Sequence, residues 1–434
     1  MTEFNRRWSR RGFLKAGLAA ATVAATSRQA RAQMNQAQIN QTRNVRTTGP
    51  DSLRAHARQR GLLFGAAVIP ASLDIEGMAS GYTADPYTQL VASQCDVLVA
   101  ENAMKWGQLR PSPTTFDFTQ ADRMMRFAAL AGQRVRGHNL CWHESLPKWF
   151  QSTAKRANAR QLLTEHIQTV AGRYRGHIHS WDVVNEAVEP KDGRPDGLRI
   201  SPWLELIGPE YIEIAFQAAA SADPGAKLAY NEYDIELDTP EQTSKRAQVL
   251  MLMRRLKARN VPIHAFGIQS HLNANGPQPG ASLQSFIREL KKLNIEVYLT
   301  ELDVNTHSLE GGPEVQDYAV AQVYRNYLGL VLTEPNVTMA LTWGITDAHT
   351  WLNESKEEWV VRKDGARQRP LPFDDSMQPT PAFVAIRTAI DAARSISKAP
   401  GQAEPATLYK PFRVPGSPAG APPEKSLVPT PRVQ

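Results

Sequence analysis

Two glutamates end apolar stretches in a way that packing alone does not explain. Residues 180–186 read SWDVVNE, where Trp181, Val183 and Val184 lead into Asn185 and Glu186 before Pro190 closes the segment. Residues 296–304 read EVYLTELDV, with Glu301 followed two positions later by Asp303. A buried ionised carboxylate is costly unless it is paired or put to use. A single such Glu could be an ion pair with a nearby Arg or Lys. The same ending recurs, however, in other apolar stretches, which close on Glu101-Asn102, His138-Asn139, Gln269 with His271, and Trp343. Two facing carboxyls are what breaking a glycosidic bond requires: one protonated to release the leaving oxygen, the other ionised to attack the anomeric carbon or activate water. Their surroundings must then push their pKa values apart. Asn185 could hydrogen-bond a sugar hydroxyl beside the reacting carbon, and His271, Lys105 and the remaining carboxylates could tune both charges. Metal ligation competes for a His/Glu/Asp set, but no His-x-x-x-His or equivalent helical spacing occurs and Glu301-Leu302-Asp303 alone is a weak signal, so no metal is expected.

Bringing these residues together needs a fold that gathers strand ends. Eight strands are predicted at 62–69, 97–102, 134–140, 180–186, 227–233, 266–272, 296–304 and 338–346, with amphipathic helices between them. Leu163, Ile167, Val170 and Tyr174 line one helical face, Thr239-Pro240-Glu241 reads as a helix start, and Pro209 opens a helix that ends near Pro224-Gly225. Eight β-then-α units predict an α/β fold with a single catalytic domain, the (β/α)8 TIM barrel, whose chemistry lies at the C-terminal ends of the strands. An open doubly wound sheet is the alternative, but the Gly-rich phosphate loop that usually follows its first strand is missing.

Length and composition bound the rest. A barrel can use most of 434 residues, and 42% hydrophobic content with nine tryptophans suits a large core. The formal charge of +7 invites a nucleic-acid reading, yet residues 1–32 carry seven of the 50 Lys and Arg and one of the 43 Asp and Glu. Without them the charges nearly cancel, so no nucleic-acid partner is expected. That segment reads as an export signal. SRRGFLK (9–15) resembles the twin-arginine consensus, a short apolar run follows, and Ala30-Arg31-Ala32 fits cleavage after Ala32. The protein is therefore expected to be exported, to a periplasm or beyond, with no membrane anchor once the signal is removed. Residues 33–50 read as a polar linker, 51–398 as the catalytic domain, and 399–434, with nine prolines, as a disordered or extended tail. Export permits a disulfide, but the strand assignment puts Cys95 and Cys141 on opposite faces, roughly 15–20 Å apart, so two free core thiols are expected.

The ordered motifs ENAMKW (101–106), RGHNLCWH (136–143), WDVVNEA (181–187), YNEYDIE (230–236), GIQSHL (267–272), YLTELD (298–303) and LTWGITD (341–347) resemble an endo-β-1,4-xylanase of glycoside hydrolase family 10, across roughly residues 51–396. The resemblance implies a retaining mechanism with Glu186 as acid/base and Glu301 as nucleophile, their carboxyls about 5–5.5 Å apart. It implies that Asn185 contacts the nucleophile or the sugar 2-hydroxyl, that His271 keeps the nucleophile ionised, and that Asp303 is the next link. Glu101, Asn102, Lys105, His138, Trp142 and Gln269 match sugar-binding positions on the non-reducing side of the cut. Trp343 and Trp351 match the walls of the central subsite and Tyr233 an aromatic position on the leaving-group side; His143 is expected behind them. Sugar rings pack on indole faces and meet Asn, Gln, His and Lys at their edges, which fits this set. Simpler roles stay open: core packing for Trp142 and Trp351, an i,i+4 ion pair with Glu101 for Lys105, and a backbone contact for His138. Xylan or xylo-oligosaccharides are the implied partner, bound by a monomer with no cofactor. Cellulose, mannan or aryl glycosides are the alternative substrates, and a non-catalytic sugar-binding barrel the alternative class. Glu144, Ser145, Asp234 and Leu352 depart from the family pattern, as does the loop 189–197, which leaves subsite strength and product length open.

Overall fold

The computed structural model describes residues 44–80 and 84–393. The twin-arginine segment with its cleavage site, most of the linker and the Pro-rich tail lie outside the described residues. The strands are β1 (Leu63–Val68), β2 (Val97–Ala100), β3 (Arg134–His138), β4 (Ser180–Asn185), β5 (Lys227–Glu232), β6 (Ala265–Ile268), β7 (His271–Asn273), β8 (Glu296–Asn305) and β9 (Val337–Thr342). Every pairing is parallel. β1 joins β2 on one side and β9 on the other, and β6 joins β8, so eight strands close into a barrel. Apart from β6 and β7, helices separate successive strands, and the expected (β/α)8 fold is the one observed.

Burial explains why these stretches lack the alternation of a half-exposed sheet. Nearly every strand residue is buried, as in parallel strands covered on both faces. Ala67, Val97, Val99, Ala229, Ala265, Tyr298, Met339 and Leu341 form one apolar cluster, topped by Trp343, and a larger one packs the strands against the helices. Local signals start the helices as expected: the Thr239 hydroxyl accepts from Gln242 N–H to cap Pro240–Ala258. The helix Tyr211–Ala222 begins two residues after Pro209, and Ala159–Arg173 buries Leu163, Ile167 and Val170. Both cysteines are free and buried. The end of the predicted linker is tied to the domain, with Gln94 donating to Thr47 O at 2.6 Å and Arg387 to Arg46 O at 2.9 Å.

Two strands differ from expectation: the last ends at Thr342, four residues before the expected end, and the sixth is broken. The stretch 266–272 is interrupted at Gln269-Ser270, and β7 resumes in register with the outer half of β8. Ser270 has φ 67°, its N–H donates to the buried Glu236 at 3.0 Å and its hydroxyl meets Tyr327 OH at 2.8 Å. A residue in the left-handed region cannot continue a strand. The break leaves Gln269 and His271 beside the barrel mouth.

Candidate active site

Glu186 leaves β4 in the left-handed conformation, φ 58°. For a non-glycine residue this costs about 1–3 kcal/mol and persists only where the surroundings over-determine it. Here they do. Glu186 N–H donates to Asn231 O (2.9 Å), Ala187 N–H to the Tyr230 hydroxyl (3.0 Å) and Val188 N–H to Glu232 (3.2 Å). Tyr230 also donates to Glu232 at 2.6 Å. Lys245 Nζ lies 3.0 Å from the Glu232 carboxylate, a charge contact rather than a well-aligned hydrogen bond, and both side chains are buried. Removing one partner of a buried pair costs about 3–5 kcal/mol because the other charge is left stranded. Lys245→Met should therefore lower the unfolding free energy by that order, measured by denaturant titration; an unchanged midpoint and slope would show the pair to be dispensable.

The Glu186 side chain is 9% exposed and accepts three hydrogen bonds. Trp142 donates to Oε2 at 2.8 Å, Gln269 to Oε1 at 2.7 Å and Asn185 to Oε1 at 3.2 Å. Burial raises its pKa and the Glu232 charge adds to this, while the Gln269 and Trp142 donors pull it partly back. Glu186 thus keeps its proton to higher pH than a free Glu. Gln269→Leu removes a donor that favours the ionised form, so the pKa should rise further. The alkaline limb of kcat/KM should then move up by roughly half a pH unit or more. A limb that stayed in place or fell would contradict the role of Gln269.

Glu301, on β8 and 5% exposed, has the opposite environment. Asn231 donates to Oε1 at 2.8 Å, and His271 Nε2 is 3.3 Å from Oε2. His271 Nδ1 lies 2.8 Å from Asp303, whose other oxygen accepts from Trp351 Nε1 at 2.7 Å. Carboxylates only accept, so an imidazole between two of them carries both protons. Burial alone would lower the His271 pKa, but Asp303 and Glu301 outweigh it and raise it well above 6.5. Burial alone would likewise raise Glu301, yet His271, the nearby His138 and Asn231 bring it down to about 2. One carboxyl is thus held ionised, while the other is shifted in the direction of its acid form. The two are linked through amides, Asn231 donating also to Asn185 Oδ1 at 2.9 Å. Thr300 donates to Asn231 Oδ1 at 2.7 Å and fixes that amide's orientation. Gly267 makes room for it, since a Cβ there would lie 2.0 Å from Asn231 Oδ1.

The other expected residues surround this pair. Glu101, Asn102 and Lys105 lie in the turns after β2, where Lys105 donates to Asn102 at 3.0 Å and Asn102 to Glu101 at 3.2 Å. The turns do not form the helical geometry of an i,i+4 ion pair. The Lys105 amine lies 5.2 Å from the Trp142 ring and 5.9 Å from Trp343, which gathers three expected sugar contacts. Burial lowers the Lys105 pKa and raises that of Glu101. His138 bonds through Nδ1 to Asp182 at 3.0 Å, a carboxylate that also accepts from the buried Arg136, and stacks edge-on to Trp343. Its partner is therefore a carboxylate, not a backbone carbonyl. The Tyr233 hydroxyl accepts from Arg199 at 2.7 Å, and Arg199 also donates to Glu186 O at 2.8 Å. His143 packs against Trp142 and points Nε2 at Glu144, 3.6 Å away. Of the departing residues, Ser145 and Asp234 both sit at φ 53° and Leu352 is buried.

Asn231 is the functional residue that sequence reasoning passed over. It lies inside the YNEYDIE motif, a polar residue ending the apolar run of β5 and paired in register with Asn185. Its position at a strand end was the available signal. The amide on Glu301 is Asn231, whereas Asn185 bonds Asn231 and Glu186. Gln269, expected at a sugar edge, contacts the Glu186 carboxyl.

A closed β/α barrel with this carboxyl pair at its strand ends defines a glycoside hydrolase. Residues 52–389 match the model of glycosyl hydrolase family 10, and the chain belongs to that family. It is 36% identical over 306 residues to the beta-1,4-xylanase of Dictyoglomus thermophilum, an alignment covering 68% of this chain and 82% of that protein. The fold is similar to the crystal structure of native xylanase 10B from Thermotoga maritima, with TM-score 0.68 and 31% identity over 78% of this chain and 98% of the other. Xylanase 10B from Thermotoga petrophila RKU-1, solved in complex with xylobiose, is similar at TM-score 0.67 and 31% identity, covering 78% of this chain and 97% of that one.

Proposed function

We propose that the protein is an endo-1,4-β-xylanase that cuts internal β-1,4-xylosidic bonds with retention of configuration. Glu301, ionised, attacks the anomeric carbon while protonated Glu186 delivers its proton to the departing oxygen. The covalent glycosyl-enzyme is then opened by a water from which Glu186, now a carboxylate, removes a proton; the glycosyl–Glu301 bond breaks and both carboxyls return to their starting states. The observation that carries this reading is the contrast between the two carboxyl environments: Glu301 accepts from Asn231 and faces His271, which favours its ionised form, while burial of Glu186 favours its acid form. The names of the relatives and the xylobiose complex of one of them support xylan as the substrate class. Trp343 and Trp351 would enforce it by crowding the position where glucose carries a hydroxymethyl group and xylose does not.

Purified protein incubated with xylan, carboxymethyl cellulose and mannan, with viscosity and reducing ends followed together, tests the reading. A rapid viscosity fall on xylan alone is expected. Comparable cleavage of cellulose or mannan would overturn the specificity, and release of reducing ends without loss of viscosity would overturn internal cutting. We also propose export through the twin-arginine signal, supported by Arg10-Arg11 and Ala30-Arg31-Ala32. N-terminal sequencing of the exported protein should begin at Gln33.

A further inference from the structure

Trp359 is 59% exposed, although it follows the last barrel strand and stands at the mouth of the site. Its ring centroid lies 5.8 Å from that of Trp351, whose ring is in turn 5.7 Å from His271 and whose Nε1 bonds Asp303. The indole therefore continues the aromatic wall outward from the carboxyl pair. Its backbone is held on a built support. Asn305, the last residue of β8, donates to Trp359 O at 3.4 Å, and Gln368 donates to Val360 O at 2.7 Å. Val360 is fully buried, and Arg362, also buried, donates to Thr306 O at 2.8 Å and Gly311 O at 3.2 Å. Gln368 completes the clamp by accepting from Thr306 N–H at 2.6 Å. Trp359 is thus an exposed aromatic ring on a fixed backbone, next to a cleft built for sugars. Apart from Val361, its exposed neighbours Glu357, Glu358 and Lys363 are charged, which suits a single pyranose face better than an apolar protein surface.

We infer that Trp359 is a sugar-stacking platform that takes a pyranose or furanose ring of the bound glycan beyond the central subsites, extending the cleft over the outer end of β8. The inference rests on the proposed xylanase reading. Pre-positioning matters because an indole already fixed in place loses little conformational freedom when a ring stacks on it. The ring can come from the main chain or from a branch, and the two sources are separable. Linear xylohexaose, an arabinose-branched xylo-oligosaccharide and 4-nitrophenyl β-xylobioside should be compared for the native protein, Trp359→Ala and Trp359→Phe. An aromatic stacking contact is worth about three- to tenfold in affinity. For Trp359→Ala the ratio of kcat/KM on a long substrate to that on the short one should fall by that factor, through KM, with Trp359→Phe recovering most of it. A fall with xylohexaose assigns a main-chain ring; a fall confined to the branched substrate assigns a branch sugar. Unchanged ratios on both would overturn the platform while leaving the xylanase reading intact. A native protein that cleaves no xylan-derived substrate would overturn both.

Discussion

Glu301→Ala is expected to abolish turnover of xylan and of activated aryl xylobiosides alike. Without its carboxylate no glycosyl-enzyme can form, whatever the quality of the leaving group, and loss of a nucleophile typically costs on the order of 10⁴- to 10⁶-fold in kcat. The fold should survive. The half-buried ring of His271 keeps Asp303 as a partner at 2.8 Å, and Asn231 keeps Thr300 and Asn185. Initial rates on both substrates, with circular dichroism and xylo-oligosaccharide binding as controls, check the expectation. A folded Glu301→Ala protein retaining more than about a hundredth of native activity would mean that another group performs the attack, since losses at that level are typical of assisting groups.

Glu186→Ala should divide substrates by leaving group. General acid catalysis contributes about 10²- to 10⁴-fold, and only where the departing oxygen needs a proton. Xylan, which leaves as a poor alkoxide, should lose that factor in kcat/KM. A dinitrophenyl xylobioside, which leaves unaided, should lose little in the glycosylation step and accumulate glycosyl-enzyme, seen as a burst. The pH profile gives a second readout. If Glu186 is the acid, the native enzyme should lose activity, above the low pKa of Glu301, as pH rises through the raised pKa of Glu186, because the acid form disappears. The variant on the activated substrate has no such group to lose, so its alkaline limb should flatten. Equal slowing of xylan and the activated substrate would contradict the acid role.

The sequence made the strands legible because parallel barrel strands are covered on both faces and so read as short apolar runs. β1, β3, β4, β5 and β8 fall within one or two residues of the expected spans at each end. It made the carboxyls legible because a charged residue at the end of such a run has few structural reasons to be there. The single strand expected over 266–272 breaks at Gln269-Ser270, where the left-handed Ser270 is stabilised by Glu236, a contact between residues 34 positions apart. The support beneath Glu186 was hidden for a similar reason. Glu232, Tyr230 and Lys245 look like ordinary strand and helix residues until β5 and the following helix bring them under the 186–188 turn. Asn231 was in view but undistinguished from its motif neighbours, and only its bond to Glu301 separates it from them. Burial of Glu236 raises its pKa to about 7, which no reading of IELD in sequence could anticipate.

The most direct test of the division of labour between Glu186 and Glu301 is to trap the intermediate. The protein would be incubated with an activated 2-deoxy-2-fluoro-xylobioside, which forms a glycosyl-enzyme quickly and loses it slowly, then digested and analysed by tandem mass spectrometry. One modified peptide is expected, with the fluoro-xylobiosyl ester on Glu301, in the segment YLTELD. An ester on Glu186, or time-dependent turnover of the probe with no covalent adduct at any carboxylate, would contradict it.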